Sequence, residues 1–205
     1  RFLDQLPAGG LSEPAQQGLF GELWFLREFL LREIAPDKAV CAWAGPKAQT
    51  KDFQFPGVAF EVKTSAAKQH SRFSISSELQ LDAQGVGRLI LFCLLLEKLT
   101  AGGMSLPELV AAVRTTLQEH PDTACRFSEL LLQVGYEDAD AGHYATCFAI
   151  RAQHFFNVRD NFPRIVEGDL LPGVGDVHYS IVLSECTHYA VTEEEARTAV
   201  RVASS

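Results

Sequence analysis

The sequence predicts an α/β domain, and three features carry the prediction: an amphipathic helical stripe near the start, two alternating runs folded about a Pro-Gly turn, and a continuous apolar run of strand length. With 205 residues and 47% hydrophobic content, the chain can bury a real core as one globular unit. Within residues 14–34, Leu19, Leu23, Leu26 and Leu30 recur with Phe20, Phe25 and Phe29 at helical spacing; Ser12 or Glu13 serves the start of this helix and Pro36 ends it. Residues 40–44 read as a short strand closed by Gly45-Pro46. Two strands follow around Pro56-Gly57, then one through Phe73, Ile75 and Ser77 with period-two alternation. Periodicity cannot tell whether residues 89–96 are a buried strand or a buried helix; we take a central strand running into a short helix near Lys98. Ala101-Gly102-Gly103 breaks the chain, and Ser105-Leu106-Pro107-Glu108 has the pattern of a cap and first turn for a helix to about Glu119. A second helix is predicted over residues 121–134 and strands over 144–158 and 177–184, with a turn-rich loop at 170–176. The expected organisation is a core over residues 1–100, with an α+β part over 101–205 packed on it and contributing strands or an interaction surface.

Composition narrows the functional classes. The longest unbroken apolar run, residues 89–96, is far short of the ~20 residues that span a bilayer, so no membrane role is expected. Five cysteines, Cys41, Cys93, Cys125, Cys147 and Cys186, are scattered without CxxC spacing; they read as mostly buried thiols in a reducing cytoplasm. The opening residue is Arg1, and the Gly- and Pro-rich stretch that follows reads as the interior of a longer protein. A net charge of −8 argues against a polyanionic partner, but its distribution is uneven. From Lys38 to Arg88 seven basic residues face four acidic ones, so this segment carries three positive charges in excess while the remainder is strongly acidic.

The most informative segment runs from Lys51 to Lys63. If the strands fold symmetrically about Pro56-Gly57, Phe55 faces Val58, Gln54 faces Ala59, Phe53 faces Phe60, and Asp52 lies opposite Glu61. Alternation then puts Phe53, Phe55, Val58, Phe60 and Val62 on one face, the core, and Asp52, Gln54, Ala59, Glu61 and Lys63 on the other, the face for chemistry. Like charges directly opposed across strands repel, so two carboxylates there need compensation. A divalent cation provides it, because Mg²⁺ takes hard oxygen ligands, commonly one or two carboxylates with the rest left to water and phosphate. Lys63, one pleat beyond Glu61, is then placed to orient an attacking water and offset charge developing on a phosphoryl group. The competing reading is a solvated polar face on which Lys63 merely pairs with Glu61. On the first helix, Glu22 falls on the apolar side near Phe25, Leu26 and Phe29, where a carboxylate is costly unless paired or bound to metal. It is either a third acidic contributor to the site or a carboxylate at the edge of the stripe reaching solvent.

Gly21-Glu22-Leu23 on a helix, Asp52, and Glu61-Val62-Lys63-Thr64-Ser65 together resemble the PD-(D/E)xK superfamily of restriction-endonuclease-like proteins. Trp43-Ala44-Gly45-Pro46, Ile75-Ser76-Ser77 with Gln80-Leu81, Phe162-Pro163-Arg164-Ile165 and Gly175-Asp176-Val177-His178-Tyr179 extend the likeness to the bacterial family of PD-(D/E)xK motif proteins. The resemblance implies a mixed, roughly four-stranded sheet flanked by helices, with the residues beyond 100 as a C-terminal α+β extension. It also implies Mg²⁺- or Mn²⁺-dependent phosphodiester hydrolysis of a nucleic acid, with DNA the leading substrate, in a bacterial restriction or anti-phage defence setting. By the same likeness Asp52, Glu61 and the Val62 carbonyl are metal ligands, Lys63 is the catalytic lysine, and Ser65, Lys68 and Gln80 are candidate nucleic-acid contacts. One departure is Lys51, which stands where the superfamily motif has proline.

Other readings compete. A non-catalytic DNA-binding or scaffolding subunit of a defence complex could keep the same fold. Cys186-Thr187-His188 spaces a thiol and an imidazole as a nucleophile and base, but no third group or oxyanion loop accompanies them. Gly173-Val174-Gly175 lacks the third glycine of a dinucleotide fingerprint and reads as a turn. Asp176, His178 and Tyr179 form no assignable constellation. The later half could add DNA contacts, form a homodimer or dock a partner protein, and the sequence leaves all three open.

Overall fold

The structure, a computed structural model, describes residues 10–47, 49–67 and 72–205. Ser12 caps the first helix, its hydroxyl accepting from the amide of Ala15 at 3.4 Å, and α1 spans Glu13–Trp24. The chain then widens into a π-helical turn over Phe25–Leu30, where the amide of Leu31 donates five residues back to the carbonyl of Leu26 at 2.8 Å. From this turn Phe25 reaches the sheet, its ring centroid 5.0 Å from that of Phe53, 5.1 Å from Phe60 and 5.0 Å from Phe92.

The strand expected at 40–44 is instead the end of a second helix, α2 (Pro36–Ala42). Pro36 starts it, since a fixed φ suits the first helical turn, and Ala39, Val40 and Ala42 are buried along it. Only Trp43 has strand character, through an isolated bridge to Phe53. The hairpin follows: β1 (Phe53–Phe55) and β2 (Val58–Ser65) pair Phe53 with Phe60, Gln54 with Ala59 and Phe55 with Val58, the predicted register. Gly57 takes the positive φ (79°) that the turn demands.

After β3 (Arg72–Ile75), the apolar run forms β4 (Arg88–Leu99), parallel to β2 over eight residue pairs. No helix forms near Lys98. Beyond the two-residue β5 (Met104–Ser105), α3 (Leu106–Thr116) and α4 (Pro121–Gln133), strand β6 (Cys147–Asn157) lies antiparallel to β4, pairing Lys98 with Phe148 and Leu99 with Cys147. The partner strand satisfies the backbone through Leu99, and so the charged Glu97-Lys98 pair stays extended. The expected capping box at Ser105 and Glu108 is formed. Then come β7 (Tyr179–Val182), shorter than the predicted strand over 177–184, β8 (Ala190–Val191) and a C-terminal helix α5 (Glu193–Ala203). The strand order is β1-β2-β4-β6-β5, with β8 also on β6, while β3 and β7 form a separate two-stranded sheet.

Two cores result. One face of the main sheet packs Phe53, Val58, Phe60, Val62 and Phe92 against α1 and the π-helical turn. The opposite face is also buried: Ala59, Leu89, Leu91 and Cys93 pack with Phe73, Ile75, Leu81 and Ile181 of the small sheet and its flanking segments. The expectation of one core face and one chemical face is thus corrected. Polar groups project into a second core because the small sheet covers the face on which Glu61 and Lys63 stand. The cysteine expectation holds for Cys93 and Cys186 only: Cys41 and Cys125 are exposed, Cys147 is half-buried, and all five are free.

Helix α5, whose capping box at Thr192 and Glu195 is an unused signal in the sequence, is fastened by Arg197. Its guanidinium lies 4.8 Å from the ring centroid of Phe29 and donates to Glu33 at 2.7 Å and to the carbonyls of Phe29 and Glu28. Arg197→Met should therefore cost about 2–3 kcal/mol, a hydrogen-bonded charge being lost at a half-buried site. A lower urea midpoint with unchanged slope would show it; an unchanged midpoint would mean that the apolar contacts of α5 suffice.

Candidate active site

Asp52 ends the segment that enters β1. Its Oδ2 accepts from the amide of Val62 at 2.7 Å, which fixes this carboxylate across the hairpin beside the edge of β2. Glu61 and Lys63 project from β2 on the face covered by the small sheet. Glu61 is 1% exposed, and Nζ of Lys63 stands 2.8 Å from its Oε1. That close ion pair is the contact Oε1 has, whereas Oε2, equally buried, has no hydrogen-bond partner among the described residues. Lys63 also donates to Oε1 of Gln80 at 3.0 Å, and the same oxygen accepts from the amide of Ser76 at 2.9 Å.

Glu22 reaches the site from α1. Its Oε2 accepts from the indole N–H of Trp43 at 2.7 Å, so the carboxylate on the apolar side of the helix is paired and also faces Asp52. Gly45 explains how these acids fit: a Cβ at that position would stand 2.9 Å from Oε2 of Glu22 and 3.3 Å from Oδ1 of Asp52. Lys51 is buried at the back of the site and donates to the carbonyl of Leu79 at 2.5 Å.

The electrostatics follow from three carboxylates in a poorly solvated cluster. Burial, then the neighbouring Asp52, pushes the Glu61 carboxyl up from 4.5 to about 8, against the opposing pull of Lys63. Burial likewise raises Asp52, and burial followed by the Asp52 charge raises Glu22. For Lys63 burial alone would favour the neutral amine, but Glu61 and Asp52 outweigh it and hold the ammonium above its ordinary range. Glu61 therefore keeps a proton near neutral pH while Lys63 stays charged. The three buried acids share Lys63 as their nearest counter-charge.

These groups open onto a cleft of about 550 Å³ lined by Glu22, Asp52, Val62, Lys63, Thr64 and Gln80, with Glu61 behind it. A larger hollow of about 640 Å³ between the hairpin tip and α5 holds none of them. The structure thus brings Glu22, Asp52, Glu61, Val62, Lys63 and Gln80 together. It does not bring Ser65 to the cleft: that residue is 6% exposed at the end of β2, its hydroxyl accepting from the amide of Ala67. Lys68 lies outside the described residues. Cys186 is buried among apolar residues of the second core, where burial pushes its thiol up to about 11, unsuited to a nucleophile. Trp43, Gly45 and Lys51 are site residues to which the sequence reading gave no role, Lys51 being noted there only as a departure from the motif. Trp43 and Gly45 sit in a motif block that marks family likeness without indicating contact with Glu22.

Among the described residues no three His, Cys, Asp or Glu side chains form a ready-made cage for a metal ion. The donor set nonetheless fits a Mg²⁺-type ion, which uses only one or two carboxylates and completes its shell with water. The orphaned Oε2 of Glu61, buried beside Asp52, is the observation behind that fit.

A curled mixed sheet flanked by helices, with a parallel β2–β4 pair beside an edge hairpin, defines the restriction-endonuclease-like class of fold. Within that class the chain belongs to the family described as "Putative PD-(D/E)XK family member, (DUF4420)", whose sequence model matches residues 1–184. No curated protein and no solved structure matches significantly. No helix among the described residues is long and apolar enough to cross a membrane.

Proposed function

We propose that this protein is a divalent-metal-dependent nuclease that hydrolyses phosphodiester bonds, with DNA as its substrate. The observation that carries the reading is Glu61: a buried carboxylate beside Asp52, with the Lys63 ammonium 2.8 Å from Oε1 and no hydrogen-bond partner at Oε2 among the described residues, at the back of an open cleft. Three buried acids around one ammonium are under-compensated unless a further cation joins them.

In this reading Asp52, Glu61 and the Val62 carbonyl would hold Mg²⁺ or Mn²⁺, with Glu22 as a further acidic contributor through a ligand or its water. The chemistry a bound ion supplies is Lewis-acid stabilisation of phosphoryl oxygens and a lowered pKa for coordinated water. Lys63, held by Gln80, orients the attacking water and offsets the charge that develops on the phosphoryl group. Trp43 and Gly45 set the spacing of Glu22 and Asp52. A place in bacterial restriction or anti-phage defence follows from the family likeness alone.

The test is incubation with supercoiled, linear, single-stranded and branched DNA, and with RNA, across several divalent ions. Cleavage that needs Mg²⁺ or Mn²⁺ and disappears in Glu61→Ala and Lys63→Ala is expected. Metal-independent DNA binding without cleavage of any substrate would instead establish a scaffolding subunit. Gly45→Ala offers a finer check. Its methyl group would push Glu22 and Asp52 apart, and Mn²⁺ affinity should fall about ten- to a hundredfold, as for the loss of groups that orient metal ligands. Isothermal titration would read the change, and an unaltered affinity would remove both carboxylates from the metal site.

A further inference from the structure

Lys51 is 4% exposed, and burying an ammonium is costly unless it is paired and bonded. Its chain neighbour is Asp52, and its Nζ donates at 2.5 Å to the carbonyl of Leu79. Leu79 sits in the turn that follows β3, and the next residue is Gln80. Oε1 of Gln80 is the acceptor that holds Lys63, itself anchored by the amide of Ser76. The turn is tied from two other directions: Arg164 donates to the carbonyl of Leu81 at 2.9 Å, and the amide of Val177 donates to Oε2 of Glu78 at 3.0 Å. Of these three ties, only that from Lys51 starts in the segment that places Asp52.

We propose that Lys51 is a positioning residue: its buried ammonium fastens the Gln80 turn to the base of the carboxylate cluster, so that Gln80 holds the Lys63 ammonium beside Glu61. This rests on the nuclease reading for its functional consequence, but the geometric claim stands apart from it. Where the superfamily motif places proline, which has no side-chain donor, this chain places a cation that couples Asp52 and Lys63 through one turn.

Two readouts separate the proposal from the reading beneath it. The first is the side-chain ¹H–¹⁵N signal of Lys63, assigned by its absence in Lys63→Arg. A bonded, poorly solvated ammonium should exchange slowly in the wild type and give a resolved signal, which Gln80→Leu and Lys51→Met should both abolish. Persistence of the signal in Lys51→Met would overturn the proposal. Should Lys51→Met fail to fold by circular dichroism, Lys51→Gln, neutral and polar, takes its place with the same expectation.

The second readout is a mutant cycle on cleavage. Each single variant should lower kcat on the order of tenfold or more with KM little changed, and Lys51→Met combined with Gln80→Leu should lose no more than the worse single variant. Losses that multiply would show Lys51 acting independently of Gln80 and overturn the proposal. A wild type that cleaves nothing, yet shows the expected Lys63 signals, would sink the nuclease reading and leave the positioning role standing.

Discussion

Glu61→Gln should leave the metal-free protein more stable at pH 8 and cut cleavage on the order of a thousandfold, a loss of function with a gain of stability. The stability half follows from linkage. In the folded chain the Glu61 carboxyl titrates near 8, and in the unfolded chain near its ordinary 4.5. Between those values the folded state holds a proton that the unfolded state has released, so stability is full below about pH 4.5 and falls as pH rises to about 8. The fall cannot exceed about 5 kcal/mol, at 1.36 kcal/mol per pH unit across that interval. This is the reverse of the behaviour of a salt-bridged carboxylate, which loses its contribution in acid. Urea denaturation at several pH values in chelator should give a declining curve for the wild type and a flatter one for the variant. Added Mg²⁺ should restore the wild type alone at pH 8, because an ion that binds only the folded state stabilises it. Parallel curves for the two proteins would show that Glu61 is not the titrating group.

Lys63→Met should have the second largest effect, and opposite to the first in its stability term. Removing the ammonium leaves Glu61, Asp52 and Glu22 without their nearest counter-charge, and breaking a buried pair from one side costs about 3–5 kcal/mol. The cost should be largest near pH 9 and shrink toward pH 5, where protonated carboxyls need no partner. Cleavage should fall a hundred- to a thousandfold, by the usual worth of a group that stabilises transition-state charge. Lys63→Arg separates the two roles. A guanidinium restores the charge and much of the stability, but its planar fork cannot replace a compact ammonium held by Gln80, so cleavage should stay low. Full activity in Lys63→Arg would reduce Lys63 to a counter-ion.

Several parts of this architecture are legible in the sequence. The helix at Glu13–Trp24, the hairpin register about Pro56-Gly57, the capping box at Ser105 and the helix opening at Pro121 all follow from short-range rules, because caps, turns and alternation act within a few residues. Residues 40–44 misled because a short apolar run has no period to distinguish helix from strand. The extension of β4 through Lys98 depends on β6, some fifty residues away, and no local pattern announces it.

The sequence by itself determined the types of groups at the candidate site and the pairing that sets Asp52 across from the Glu61 strand. Period-two alternation and a two-residue turn leave only one register. Tertiary structure alone decided that the face bearing Glu61 and Lys63 is covered by the β3–β7 layer. That cover makes their charges expensive, and it cannot be read from the hairpin because burial is set by whatever packs above it. Trp43 on Glu22, the room left at Gly45, and the bond from Lys51 to the Gln80 turn are also tertiary decisions, since each joins segments that only the folded chain brings within hydrogen-bond reach.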